Sequence, residues 1–109
     1  MGFNMVIKGV LKEELINSLH MKKGYERELR KLPKGSLIKK SINGREYYYI
    51  VYRENGNVKF LYKGKNVPPE LISKYEKTKY YRKKYRNLLS IVKKQVMFLK
   101  GTVRGKEPI

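Results

Sequence analysis

A chain of 109 residues with 27 Lys or Arg against nine acids carries a formal charge of +18. All nine acids are Glu, there is no Cys, and His20 is the single histidine. This excludes disulfides, thiolate chemistry and a Cys/His zinc site, and it leaves few groups to hold any other metal. A domain so lopsided repels itself and answers to a polyanion: nucleic acid first, then an anionic membrane surface or an acidic protein groove.

The length fits one small domain spanning 1–109, and 40% hydrophobic residues are enough for folding rather than for a disordered basic tail. No apolar run reaches the length of a membrane span, and no signal-peptide core follows Met1. With no Cys, the expected location is the cytoplasm, and no membrane partner is expected.

The first element is a helix over residues 11–32. Leu11, Leu15, Ser18, Lys22, Tyr25, Leu29 and Leu32 alternate spacings of four and three, which is a helical stripe. Pro33 and Gly35 end it, and Gly24 is the point at which it would split.

Residues 36–65 predict a three-stranded antiparallel β-meander. Asn43-Gly44 and Asn55-Gly56 sit between β-rich runs, and Asn-Gly favours the type I′ turn of a two-residue hairpin. The strands fall at 36–42, 45–54 and 57–63. Such short loops also set the register: Ile42 opposes Arg45, Ile38 opposes Tyr49, Arg53 opposes Val58, Val51 opposes Phe60, and Tyr49 opposes Tyr62. One face then holds Ile38, Ile42, Tyr47, Tyr49, Val51, Val58, Phe60 and Tyr62, and its apolar character makes it the expected core side. The other holds Leu37, Lys39, Ser41, Tyr48, Ile50, Tyr52, Lys59, Leu61 and Lys63, and is the expected exposed side.

After Pro68-Pro69 comes a long helix over residues 69–99, with Pro69 suited to its first position. Leu71, Tyr75, Thr78, Arg82, Tyr85, Leu89, Val92, Val96 and Leu99 form a coiled-coil-like seam. Beside it Lys79, Arg86, Lys93 and Lys100 recur every seventh residue, about 10.5 Å apart along the helix. Gly101 is expected to stop this helix and leave 102–109 as a flexible tail. The fold class is α+β: N-terminal helix, meander, long C-terminal helix. Because the first helix looks too short to cover Leu89, Val92, Val96 and Leu99, these four are expected to meet a second copy in a homodimer.

The catalytic inventory is thin. With five Ser and no Asp, a Ser-His-Asp triad is impossible. A lone His20 beside Leu19 is more often a packing or surface residue than a base. Gly-rich phosphate loops are absent. No catalytic residue, metal or cofactor is expected. One acid-poor chemistry survives, that of small ribosome-dependent RNase toxins that use Lys, Arg and Tyr on a sheet. Lys39, Tyr48, Tyr52, Lys59 and Lys63 could imitate it.

Residues 77–106 contain eleven Lys or Arg and no acid. Charged flanks of an ordinary coiled coil would carry Glu at i, i+4 to pair with Lys, and none follows Glu76 within this stretch. A row of bases without acids favours a phosphate-facing helix. Among the aromatics of Tyr47-Tyr48-Tyr49, the assignment of faces leaves Tyr48 and Tyr52 as stacking candidates.

The opening Gly35-Ser36-Leu37, the run Gly44-Arg45-Glu46-Tyr47-Tyr48-Tyr49-Ile50-Val51-Tyr52-Arg53 and the closing Tyr62-Lys63-Gly64-Lys65 resemble an uncharacterised family of short proteins borne on plasmids, phages and transposons. Asn57 stands where that pattern has Lys. The resemblance covers about residues 29–90 and implies a fold and a mobile-element setting, without an activity. A weaker likeness is to the arm-binding domain of tyrosine integrases, in which three strands backed by a helix read DNA. It implies DNA-facing roles for Lys39, Tyr48, Tyr52 and Lys59.

The sequence thus predicts a non-enzymatic nucleic-acid-binding protein, with DNA, as duplex, ahead of RNA. Its contacts are Lys39, Tyr48, Tyr52, Lys59 and Lys63 on the sheet and Lys79, Arg86, Lys93 and Lys100 on the helix. The rivals are an RNA-binding or RNA-cleaving module, and a phage-type inhibitor with a host protein partner.

Overall fold

The structure is a computed structural model that describes residues 3–105, with side chains from 7 to 103. The order is α1 (Phe3–Lys31), β1 (Ser36–Ile42), β2 (Arg45–Glu54), β3 (Asn57–Gly64) and α2 (Pro69–Gly105). This is the expected α+β arrangement, with longer helices. Gly24 does not split α1 and Gly101 does not end α2. A glycine inside a helix costs only about 1 kcal/mol, less than the burial of one seam side chain supplies. The expected tail from 102 is therefore helical as far as Gly105, and 106–109 lie outside the described residues.

The chain forms two compact units, one of α1 with α2 from Lys83 onward, the other Leu32–Arg82. In the first, the rings of Tyr25 and Tyr85 lie 6.1 Å apart. Val92, Val96 and Leu99 beyond Tyr85 are only 2%, 5% and 5% exposed. Residues of α1 that precede Tyr25 must cover them, so the two helices run antiparallel. Two turns on from the tyrosine pair, Ser18 and Val92 are the most deeply buried side chains among the described residues. A small residue at such a buried helical position lets the backbones approach closely.

This packing overturns the premise of the expected dimer, that Leu89, Val92, Val96 and Leu99 lack a mate within the chain. α1 begins at Phe3 rather than at residue 11, so it has the length to reach the whole seam. Three of the four are buried within the chain and Leu89 is half-buried. These four residues therefore do not themselves require a second copy.

In the second unit the strands follow the order β1-β2-β3. Asn43, Gly44, Asn55 and Gly56 all have positive φ, the signature of two type I′ turns. The register matches the expected pairs, including Ile38 with Tyr49, Val51 with Phe60 and Tyr49 with Tyr62. A shift at Tyr48/Tyr49 pairs Tyr48 with Gly64, so Lys63 is the extra residue of a bulge. Helix α2 starts at Pro69, with Leu71 N–H donating to the Pro68 carbonyl at 3.0 Å, and Glu70 favours the positive end of the helix dipole. Thr78 is buried, and its hydroxyl donates to the Lys74 carbonyl at 2.8 Å, which satisfies it.

The faces of the sheet are the reverse of those expected. Ile50 is its one buried residue, at 8% exposure. Leu37 and Tyr48, on the same face, line a groove with Ile72 and Tyr75 of α2. The face carrying Ile42, Val58, Phe60 and Tyr62 is open. The face that carries Ile50 lines the groove with α2 through Leu37 and Tyr48, while its Leu61 stays 47% exposed.

Candidate nucleic-acid interface

The expected sheet site lies on the face that packs against α2. Tyr48 and Tyr52 are half-buried there, while Lys39 and Lys59 are exposed but paired. Lys39 Nζ is 3.1 Å from Glu46 Oε2, and Lys59 Nζ is 3.4 Å from Glu54 Oε2. A hydrogen bond to Glu46, then one to Tyr48, hold the Lys39 ammonium above its ordinary pKa of 10.5. Lys39 is therefore fully charged at neutral pH, with part of its field already answered. Lys63 is exposed at the bulge, where strand alternation no longer fixes its direction. The likeness to an integrase arm-binding domain implied that this face reads DNA. Here its β1 and β2 residues Leu37, Lys39 and Tyr48 line a groove with α2, and Lys59, Leu61 and Lys63 of β3 are exposed.

The structure does bring three expected residues together. Lys39, Tyr48 and Lys79 line one groove between the sheet and α2, with Tyr75 and Glu76. Glu76 lowers the positive potential of that groove. Arg86, Lys93 and Lys100 belong to the other unit. All three are exposed on α2, two turns apart in succession, and none forms an ion pair among the described residues. They form a row about 21 Å long at ~1.5 Å per residue. His20 is exposed on α1, in a shallow groove with Lys23, Glu26, Arg27 and Arg30. No group of three metal-ligating side chains occurs among the described residues, and no helix among them is long and apolar enough to cross a membrane.

The sequence reading missed the open face. Tyr62 lies 5.4 Å from Tyr49 and 6.2 Å from Tyr47, and Tyr49 meets Phe60 edge-on at 6.5 Å between ring centroids. Lys40 Nζ sits 4.0 Å from the Phe60 centroid and 5.3 Å from that of Tyr49, and Lys65 Nζ is 5.9 Å from Tyr47. These are cation–π distances. By alternation Arg45 and Arg53 share this face, whereas Glu46 and Glu54 fall on the other. Two signals for this face were present in the sequence. Three of its four aromatic residues are Tyr, which keep a polar tip in water, and both acids of the sheet alternate away from it.

The family model for a domain of unknown function, DUF6788, matches residues 10–73. That is more than half of the chain. The protein belongs to the DUF6788 family. No curated protein and no solved structure matches it. The DUF6788 match takes in most of α1, the whole meander and the first turn of α2. It therefore includes the aromatic face and ends before Arg86, Lys93 and Lys100.

Proposed function

We propose that the protein is a non-enzymatic nucleic-acid-binding protein that grips duplex DNA by its phosphates. The observation that carries this is the exposed row Arg86, Lys93 and Lys100, set in a stretch of eleven bases without one acid. Regularly spaced cations without ion-pair partners release counterions when they meet phosphates, and that release supplies most sequence-independent affinity. Contacts of this kind position a protein on the duplex and carry no base information. DNA reading by the sheet is not part of this proposal, because Leu37, Lys39 and Tyr48 of that face line a groove with α2. The non-enzymatic part rests on the residue inventory, a single His and no Asp or Cys. A mobile-element setting rests on the resemblance of the Gly35-Ser36-Leu37 opening and the tyrosine hairpin.

The test is titration of duplex DNA, single-stranded DNA and structured RNA across a range of salt. The expected slope of log affinity against log salt on duplex is about −4 to −8, for contact with roughly five to eight phosphates. A flat slope, or no binding at low salt, refutes the proposal.

A further inference from the structure

The open face of the sheet has chemistry that the phosphate row does not use. Phe60 and Tyr62 are 51% and 54% exposed, although aromatic side chains of that size bring a large apolar area to any core they enter. With Ile42, Tyr47 and Tyr49, Tyr62 lines an open depression made only of sheet residues. Cations border it: Lys40 over Phe60 and Tyr49, and Lys65 over Tyr47. Arg45 and Arg53 lie on the same face by alternation, and no Glu of the sheet does.

We propose that this face is a stacking platform for the bases of single-stranded nucleic acid. Phe60 and Tyr62 offer rings to two bases. Tyr47, Tyr49 and Ile42 wall the depression beside them, and Lys40 and Lys65 take the flanking phosphates. The inference rests on the nucleic-acid reading above and adds to it the ligand's single-stranded form and its base contacts. Rings interleaved with cations suit a single strand, because every base has a π-face and every linkage a charge. A duplex cannot use the rings, since its bases already stack on one another. A second copy of the chain is a poor occupant, because it would set Lys40, Arg45, Arg53 and Lys65 against their own equivalents with no carboxylate between them.

The experiment measures the affinity of the full chain for poly-dT, poly-rU and a DNA duplex at one fixed salt concentration. The variants are Phe60→Ala with Tyr62→Ala, and Tyr62→Phe alone. Circular dichroism confirms that each is folded. Loss of two stacking rings is expected to weaken single-strand binding by about tenfold or more while duplex binding changes less than about twofold. Tyr62→Phe, which keeps the ring, retains wild-type affinity. Equal losses on poly-dT and poly-rU support a sugar-blind platform, and a loss confined to one of them supports the platform for that polymer. Unchanged single-strand affinity in the double variant overturns the platform and leaves the phosphate proposal standing. Failure to bind any of the three ligands overturns both. A wild-type dimer that the same double variant dissociates, or binding to phosphatidylserine vesicles in place of single strands, assigns the face to another occupant and overturns the inference.

Discussion

Arg82 donates to the carbonyl of Gly35 at 3.1 Å and to that of Pro33 at 2.7 Å. These bonds tie α2 to the entry of β1. Both come from one nitrogen, Nη2, whose two N–H groups each reach one carbonyl. Gly35 itself has φ +86°, and a Cβ there would stand 2.5 Å from the Val51 carbonyl oxygen.

Arg82→Ala is expected to lower unfolding free energy by about 2–3 kcal/mol, since hydrogen bonds from a charged donor contribute roughly 1.5–3 kcal/mol and carbonyls are left unpaired. Arg82→Lys recovers only part, because its nitrogen lies one bond nearer the backbone than Nη2 and its ammonium is more strongly hydrated. Urea titrations of the three proteins check this. A loss under about 0.5 kcal/mol, the range of ordinary surface changes, would remove Arg82 from the structural account.

Gly35→Ala is expected to cost more than Gly44→Ala. Both need positive φ, but no atom lies within 4 Å of a Cβ at Gly44, whereas at Gly35 backbone blocks it. Strain at a single left-handed residue is about 1–3 kcal/mol, and the clash at Gly35 adds to it. The same denaturation experiment ranks the two, and equal losses would mean that β2 yields freely.

The register of the meander was legible in the sequence because each Asn-Gly turn fixes a two-residue loop, and the pairing follows by counting. Which face the helix covers was not, because alternation yields two faces and names neither. Counting apolar residues chose Tyr47, Tyr49, Phe60 and Tyr62 for the core. The buried position is Ile50, on the face with fewer apolar residues, and Leu37 and Tyr48 of that face line the groove with α2. The basic row on α2 was legible from its seven-residue period, since an exposed helical face needs no partner to be read. The mate of Val92, Val96 and Leu99 was not, because the stripe was followed only from Leu11, although Phe3, Met5, Val6, Ile7 and Val10 precede it in a helix that starts at Phe3.

Val92→Glu separates an intrachain seam from a dimer seam. Val92 is 2% exposed within one chain, so a carboxylate there is buried without a partner. The expected result is loss of about 3–5 kcal/mol of stability, or failure to fold, as for other unpaired buried charges. A variant that stays folded at the wild-type thermal midpoint and only changes its mass in light scattering would contradict the packing of α1 on α2.

Lys39 gives a prediction in pH. Its folded pKa lies above 10.5 because of Glu46, so what the pair adds to stability is fully present below the unfolded value and is lost as pH rises through the folded one. Near neutral pH the pair is intact. Glu46→Gln is expected to return the Lys39 pKa toward its ordinary value, read by NMR of the side-chain ammonium. The same substitution removes a negative charge beside Lys39 and should strengthen binding to any nucleic acid at low salt. Weaker binding would show that Glu46 itself belongs to the interface.

The phosphate row makes its own claim. Lys93→Glu with Lys100→Glu removes two cations that are exposed and lie outside the seam, so the thermal midpoint should hold, as is usual at surface positions. Duplex affinity should fall and the salt slope should become shallower by about 1.8, at ~0.9 for each phosphate no longer neutralised. Poly-dT affinity should fall too, because phosphates are common to both ligands, but the effect of Phe60→Ala with Tyr62→Ala on poly-dT should persist in this background with nearly the same fold-change. Two surfaces that act independently give additive free energies. If the row and the rings were one site, the combined variant would lose less than the two changes separately predict, and the salt slope on duplex would respond to the ring substitutions as well.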